Sequence, residues 1–218
     1  MKFTVLNPNT TQAMTDAVLA ELAARLPADA TLVGLTSRTG SPVIDSRETF
    51  ALGAASAAAM LPEVPHDSDA ILLACFGDPG LAALRRASNL PVVGLAQAAM
   101  DVARAQGQRF AIITAGANWV DMLRECAAGH GAAGLLVGVY ALNGNGGQLL
   151  KNPDAFRAQL AALSTQAADD GARMLVLGGA AFAGLRFTCD ARLTLVDAMD
   201  AAVGALVGNA GRVSTVGR

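Results

Sequence analysis

The chain has 218 residues, with 16 Lys and Arg against 18 Asp and Glu, for a net charge of −2. No long run of one sign appears, which argues against an electrostatic footprint for nucleic acid or an anionic membrane surface. Hydrophobic residues make up 53% of the chain, enough for the core of one large domain or two smaller lobes. No apolar stretch reaches the about 20 residues of a membrane span. The start, Met1-Lys2-Phe3-Thr4-Val5, is interrupted by Asn7 and Pro8 and lacks a signal-peptide pattern. Three cysteines, at positions 75, 126 and 189, are an odd count without metal-ligand spacing. A soluble cytoplasmic protein with reduced thiols is therefore expected.

In chain order, Phe3 to Leu6 reads as a first strand. It ends in Asn7-Pro8-Asn9-Thr10-Thr11, whose side chains suit both the capping of a helix over Gln12 to Arg25 and hydrogen bonds to a ligand. Thr31 to Leu35 is a second strand, followed by a Gly-, Ser- and Pro-rich loop to Ser46 that is a candidate pocket rim. Arg47 to Leu61 is helical. A third strand starts at Ile71, where the chain reads Ile-Leu-Leu-Ala-Cys-Phe-Gly-Asp-Pro-Gly-Leu. Its apolar run is too short for a helix and suits a strand buried on both faces. Asp78 is placed as the N-cap of the next helix, with Pro79 at its first position, and this helix runs to about Ser88. Cys75 then sits at the carboxyl end of the strand, the edge where open α/β sheets bind ligands. A helix terminus beside it would favour thiolate over thiol, and one pKa unit is worth about 1.4 kcal/mol. Pro91 to Gly94 is a fourth strand and Ala96 to Gln106 a helix.

The pattern then restarts. Strands are expected at Phe110 to Ile113, Leu135 to Val139, Met174 to Leu177 and Thr194 to Val196. Helices are expected at Val120 to Ala128, Pro153 to Ala168, near Ala181 and at Ala198 to Val207. Ala115 to Asn118 and Leu142 to Asn152 read as loops, and residues 209–218 as a flexible tail. A shift of 104 lays Leu73 on Leu177, Gly80 on Gly184, Leu81 on Leu185 and Gly34 on Gly138. Shifts of 107 and 103 lay Phe3 on Phe110 and Val93 on Val196. Strands alternating with helices imply parallel sheets with right-handed crossovers. The expected fold is α/β with two pseudo-symmetric lobes, 1–96 and 97–197, each with about four parallel strands flanked by helices. The active site is expected in the cleft between them, and the last helix, 198–208, is a candidate to pack back on the first lobe. The same shift that pairs the lobes sets Cys75 on Gly179. A substrate carbon between these positions would meet a thiol on one side and empty space on the other.

Asn7-Pro8-Asn9-Thr10-Thr11 and Ala74-Cys75-Phe76-Gly77-Asp78-Pro79-Gly80-Leu81 resemble the aspartate/glutamate/hydantoin racemase superfamily, in particular its hydantoin and allantoin racemase branch. The resemblance runs from Phe3 to about Val203. It implies cofactor-independent chemistry at an acidic carbon beside a carbonyl or carboxylate, carried by two facing cysteines that remove and deliver a proton. Here the second motif reads Gly179-Ala180-Ala181-Phe182-Ala183-Gly184-Leu185, without its cysteine. Racemisation by two bases needs a donor on each face. One-thiol alternatives therefore stay open: decarboxylation as in the related arylmalonate decarboxylases, isomerisation as in maleate isomerases, or a non-catalytic small-ligand binder.

Catalysis is assigned to Cys75. The substrate-binding candidates are Asn9, Thr10, Phe76, Gly77, Thr114, Asn118, Gly179 and Ala180. Backbone N–H groups after Cys75 and Gly179 are the natural oxyanion donors. Cys126 and Cys189 read as structural, and His66 and His130 as solvent-facing. Arg85 and Arg86 suit a solvated helix face, and Gly144 to Gly147 lacks the ending of a phosphate loop. No metal or cofactor is expected. The partner is a small anionic or cyclic-amide substrate, with neither nucleic acid nor membrane, and a homodimer is the default assembly.

Overall fold

The computed structural model describes the backbone of residues 1–144, 146–179, 182, 185 and 187–216, and their side chains except those of residues 150, 153 and 211–216. The chain divides into two compact units, Met1–Leu95 with Met199–Arg218, and Ala96–Ala198.

In the first unit β1 (Lys2–Asn7), β2 (Thr31–Thr36), β3 (Ala70–Leu73) and β4 (Val92–Gly94) form one parallel sheet in the order β2-β1-β3-β4. Every residue of β3 is buried, as a run without polar alternation demands. The helices α1 (Gln12–Ala23), α2 (Arg47–Met60) and α3 (Leu81–Ala87) supply the crossovers, with a 3-10 turn at Leu61–Glu63. One core cluster joins Leu6, Ile71, Leu73 and Val92 of the sheet to Ala57 and Met60 of α2 and Leu81 and Leu84 of α3. Ser46 starts α2 with a reciprocal cap: its hydroxyl accepts from the Thr49 N–H, and the Thr49 side chain accepts from the Ser46 N–H.

The second unit contains α4 (Leu95–Ala105) from Ala96 onward. It repeats the sheet with β5 (Phe110–Ala115), β6 (Leu136–Leu142), β7 (Met174–Gly178) and β8 (Thr194–Val196) in the order β6-β5-β7-β8, again all parallel. Register supports the internal repeat. Phe3 pairs with Ala70 as Phe110 pairs with Met174, and Leu72 pairs with Val93 as Val176 pairs with Val196. One equivalence is corrected. Phe110 faces Leu136 but Ala111 faces Gly138, so Val137 is an extra residue in β6. Val5 pairs with Gly34 and Ile112 with Val139, so Gly34 corresponds to Val139 and not to Gly138. Gly184 lies outside the described residues.

Helix α5 (Trp119–Gly129) follows β5, and α7 (Arg157–Asp169) follows a 3-10 turn at Pro153–Phe156. Two segments depart from expectation. The loop assigned to Leu142 to Asn152 contains a short helix, α6 (Gly146–Lys151). Leu149 is buried in the second unit's core, and that burial offsets the weak helix propensity of two glycines. The tail expected to be flexible is helical: α8 runs Ala198–Val216. Ala202, Leu206 and Ala210 are buried at four-residue spacing, a packed stripe that carries the helix past Gly208. Asp200 of α8 accepts from the Arg25 guanidinium at 2.9 Å, tying α8 to the end of α1. The helix expected near Ala181 lies outside the described residues.

Candidate functional site

Cys75 stands two residues past the end of β3, where the Ala74 N–H still donates to Leu6 O of β1 at 2.9 Å. The chain then winds through a left-handed turn. Gly77 has φ 119°, Asp78 φ 56° and Gly80 φ 76°. Asp78 is the only non-glycine residue with positive φ among the described residues. This overturns its assignment as a helix cap: α3 begins at Leu81, with Gly80 as N-cap. At Gly80 the approach of α2 leaves no room for a side chain, since a Cβ there would stand 3.0 Å from Ala54 Cβ and 3.1 Å from Ala54 Cα. The turn closes through Asp78 N–H to Cys75 O at 3.0 Å and Leu81 N–H to Asp78 O at 3.2 Å.

The expected electrostatics of the thiol are also overturned. Cys75 is a buried, free cysteine. Its pKa is pushed up to about 12, first by burial and then by the negative charge of Asp78. A seven-residue helix that starts six positions later does not counter these effects. Burial and Asp78 therefore favour the thiol over the thiolate. Asp78 is itself 5% exposed. Its carboxylate lies over the end of β4, where a Cβ added to Gly94 would come within 2.5 Å of Asp78 Oδ2 and of Leu81 Cδ2. Phe76 is buried, and its N–H makes no hydrogen bond among the described residues. Gly77 is buried beside it.

The loop after β1 is built around Asn7, a buried residue that reading the sequence did not single out. Its Nδ2 donates to Asn9 Oδ1, Thr11 O and Thr15 Oγ1, while its Oδ1 accepts from the Asn9 N–H. Asn9 is accordingly occupied: its Oδ1 also accepts from the Thr11 N–H, and its Nδ2 donates to Met14 Sδ. Thr10 differs. Its N–H donates to Ser41 O at 3.0 Å, but its half-buried hydroxyl has no partner among the described residues.

In the second unit Thr114 occupies the β5 position that Asn7 holds in β1, paired with Ala141 of β6 and Gly178 of β7. It is 1% exposed, and its hydroxyl has no hydrogen-bond partner among the described residues. Asn118 precedes α5, exposed and without a side-chain capping bond. Gly179 directly follows β7, the counterpart of Cys75 in its own sheet. Its φ of 146° lies in the region that L side chains rarely adopt, although a Cβ there would meet only Phe182 ring atoms, at 3.6 and 3.8 Å. Ala180 lies outside the described residues.

Cys189 is half-buried, packs against the second unit's core and donates to Leu193 O at 3.6 Å, with its pKa raised by burial. Cys126 is half-buried on α5. His66 is exposed, whereas His130 is half-buried at the end of α5, with its carbonyl accepting from Arg104. The Arg85 guanidinium folds back onto Val92 O at 2.9 Å and so is not merely solvated.

Comparison with known proteins agrees with this architecture. The family model for Asp/Glu/Hydantoin racemase matches residues 4–206. A hydantoin racemase of Rhizobium meliloti is 34% identical over 195 residues, covering 87% of this chain and 78% of that protein. Allantoin racemase from Klebsiella pneumoniae superposes with a TM-score of 0.84 at 25% identity, over 98% of this chain and 89% of that one. An arylmalonate decarboxylase variant shares the fold alone, with a TM-score of 0.58 at 16% identity over 96% of this chain and 92% of that one. By whole-chain match, sheet order and sequence identity, the chain belongs to the Asp/Glu/hydantoin racemase family and is a racemase-type isomerase.

Proposed function

We propose that this enzyme works without a cofactor and uses Cys75 for proton transfer at an activated carbon beside a carboxylate or amide of a small substrate. The substrate class, a hydantoin or related amino-acid derivative, is supported by the likeness to hydantoin and allantoin racemases. The observation that carries the reading is the buried thiol of Cys75 just past the end of β3, followed directly by the Phe76 N–H, which has no partner among the described residues. A carbanion formed beside a carbonyl needs a proton on carbon and hydrogen bonds on oxygen, and these two groups are suited to supply them. Proton donation by the thiol is favoured over nucleophilic attack, and over proton removal by Cys75, because both of those need the thiolate, which burial and Asp78 disfavour.

Thr10, Thr114 and Asn118 carry unpaired polar groups and are assigned to substrate binding. Asn9 contributes by holding the Thr10 loop in place, since its side chain is already committed. A second reading rests on Gly179. With glycine where a second thiol would stand, proton transfer is one-sided, and net decarboxylation or exchange without inversion replaces racemisation.

The test is Cys75→Ala assayed with 5-substituted hydantoins in deuterated water. Turnover falls by about 10²- to 10⁴-fold, the range for losing a positioned acid or base, while the melting temperature is retained. Full activity in a folded variant would remove Cys75 from the mechanism. In the parent enzyme, deuterium incorporation with inversion supports the racemase reading, and incorporation without inversion supports the one-sided reading.

A further inference from the structure

One buried amide stands at the centre of the loop between β1 and α1. Asn7 ends β1 and is 2% exposed. Its Nδ2 lies 3.0 Å from Asn9 Oδ1, 3.2 Å from Thr11 O and 3.0 Å from Thr15 Oγ1, and its Oδ1 accepts the Asn9 N–H at 3.1 Å. Two of the three atoms facing Nδ2 can only accept, so position 7 calls for an amide. The isosteric carboxylate would set oxygen against oxygen inside a buried loop, where an unpaired polar group is costly. The same network commits the neighbours. Asn9 Oδ1 also accepts from the Thr11 N–H, Asn9 Nδ2 donates to Met14 Sδ, and the Thr11 hydroxyl donates to Pro42 O at 2.7 Å. Thr10 lies between these two residues, with its N–H bound to Ser41 O. Of the three side chains from Asn9 to Thr11, the half-buried one of Thr10 alone has no partner among the described residues.

Buried polar networks rigidify the segment they hold, and a hydroxyl left over on such a segment is preorganised for an outside partner. We propose that Asn7 is a positioning residue, its amide fixing Asn9 and Thr11 so that the Thr10 hydroxyl stands ready to hydrogen-bond the amide edge of the substrate. Asn7 itself is bonded through both atoms of its amide and touches no substrate. This role rests on the assignment of Thr10 to substrate binding and deepens it by naming what aims that hydroxyl.

The experiment is a double-mutant cycle on Asn7→Asp and Thr10→Val, with affinity for racemic 5-benzylhydantoin measured by calorimetry. Thr10→Val weakens binding about tenfold, the scale of one substrate hydrogen bond. Asn7→Asp weakens it by a similar factor in the parent, but by less than about twofold once residue 10 is valine, because no hydroxyl is left to aim. Melting temperatures are read alongside. A purely structural Asn7 lowers the melting temperature in both backgrounds and leaves the affinity alone, which overturns the proposal. Losses that multiply to about a hundredfold in the double variant overturn it too, as does an affinity unmoved by Thr10→Val. If Asn7→Asp fails to fold, Asn7→Ser takes its place in the same cycle. Binding is read without turnover, so a failure of the cycle is distinct from a failure of Cys75→Ala to lose activity. A parent enzyme that does not bind the hydantoin overturns the substrate class and this role together.

Discussion

Replacing Gly179 by cysteine asks whether the second sheet can carry the missing thiol, and the structure sets opposing terms. Space is not the obstacle, because the nearest atoms to an added Cβ are Phe182 Cδ2 at 3.6 Å and Cε2 at 3.8 Å, ordinary contacts. The backbone is the obstacle: φ is 146°, and a side chain held there costs about 1–3 kcal/mol. For a chain of this size each kcal/mol lowers the melting temperature by about 2–4 °C, so Gly179→Cys melts about 2–12 °C below the parent. The variant is then assayed for inversion of a single enantiomer of a 5-substituted hydantoin in deuterated water, by polarimetry and by NMR at the reacting carbon. Inversion faster than in the parent is the result expected from the resemblance, in which two cysteines remove and deliver the proton. A melting temperature equal to or above the parent's would refute the strain argument. Exchange that stays one-sided in a folded variant would refute a proton-transfer role for a thiol at position 179.

Thr114→Val tests the unpaired hydroxyl at the end of β5. A buried polar group without a partner costs about 1–3 kcal/mol, so the valine variant is as stable as the parent or more so, while KM rises about fivefold to tenfold with kcat little changed. Lower stability with unchanged kinetics would make Thr114 structural. Alkaline unfolding tests the environment of Cys75. Its pKa rises from 9.0 to about 12 on folding, so the unfolded state releases its proton first. Stability therefore falls between about pH 9 and pH 12, by at most about 1.4 kcal/mol per unit. Denaturant midpoints measured across that window show the slope in the parent and a shallower one in Cys75→Ala. Equal slopes would place the thiol outside the buried setting described here.

Much of the architecture can be read from residue order. The apolar runs of β1, β3, β5 and β7 are short and flanked by turn residues, and their echo at near-constant spacing places two parallel sheets of the same order. The bounds of β8, Thr194–Val196, agree with expectation because a charged loop and a helix start bracket it. The turn after Cys75 was less legible. Asp-Pro reads locally as a helix start, whereas the chain coils left-handed there, with Gly80 packed closely against Ala54 of α2. The protonation of Cys75 was misjudged for a related reason, since burial is a sum over distant residues that a local motif does not contain. Helices α6 and α8 persist through glycines because Leu149, Leu206 and Ala210 are buried. Asn7 is legible only in hindsight: a polar residue ending a buried strand, followed by Asn and Thr at close spacing, is the signal of a side-chain-built loop.

The extra residue at Val137 bears on any attempt to graft features from one half of the chain onto the other. Side chains on a strand alternate faces with a period of two. Each strand's own offset, 107 onto β5, 104 onto β7 and 103 onto β8, holds along its paired residues, but on β6 the offset of 104 at Leu136 becomes 105 beyond Val137. A loop, ligand contact or stabilising pair copied from β2 by numbering alone would therefore project every transplanted side chain to the wrong side of its new sheet.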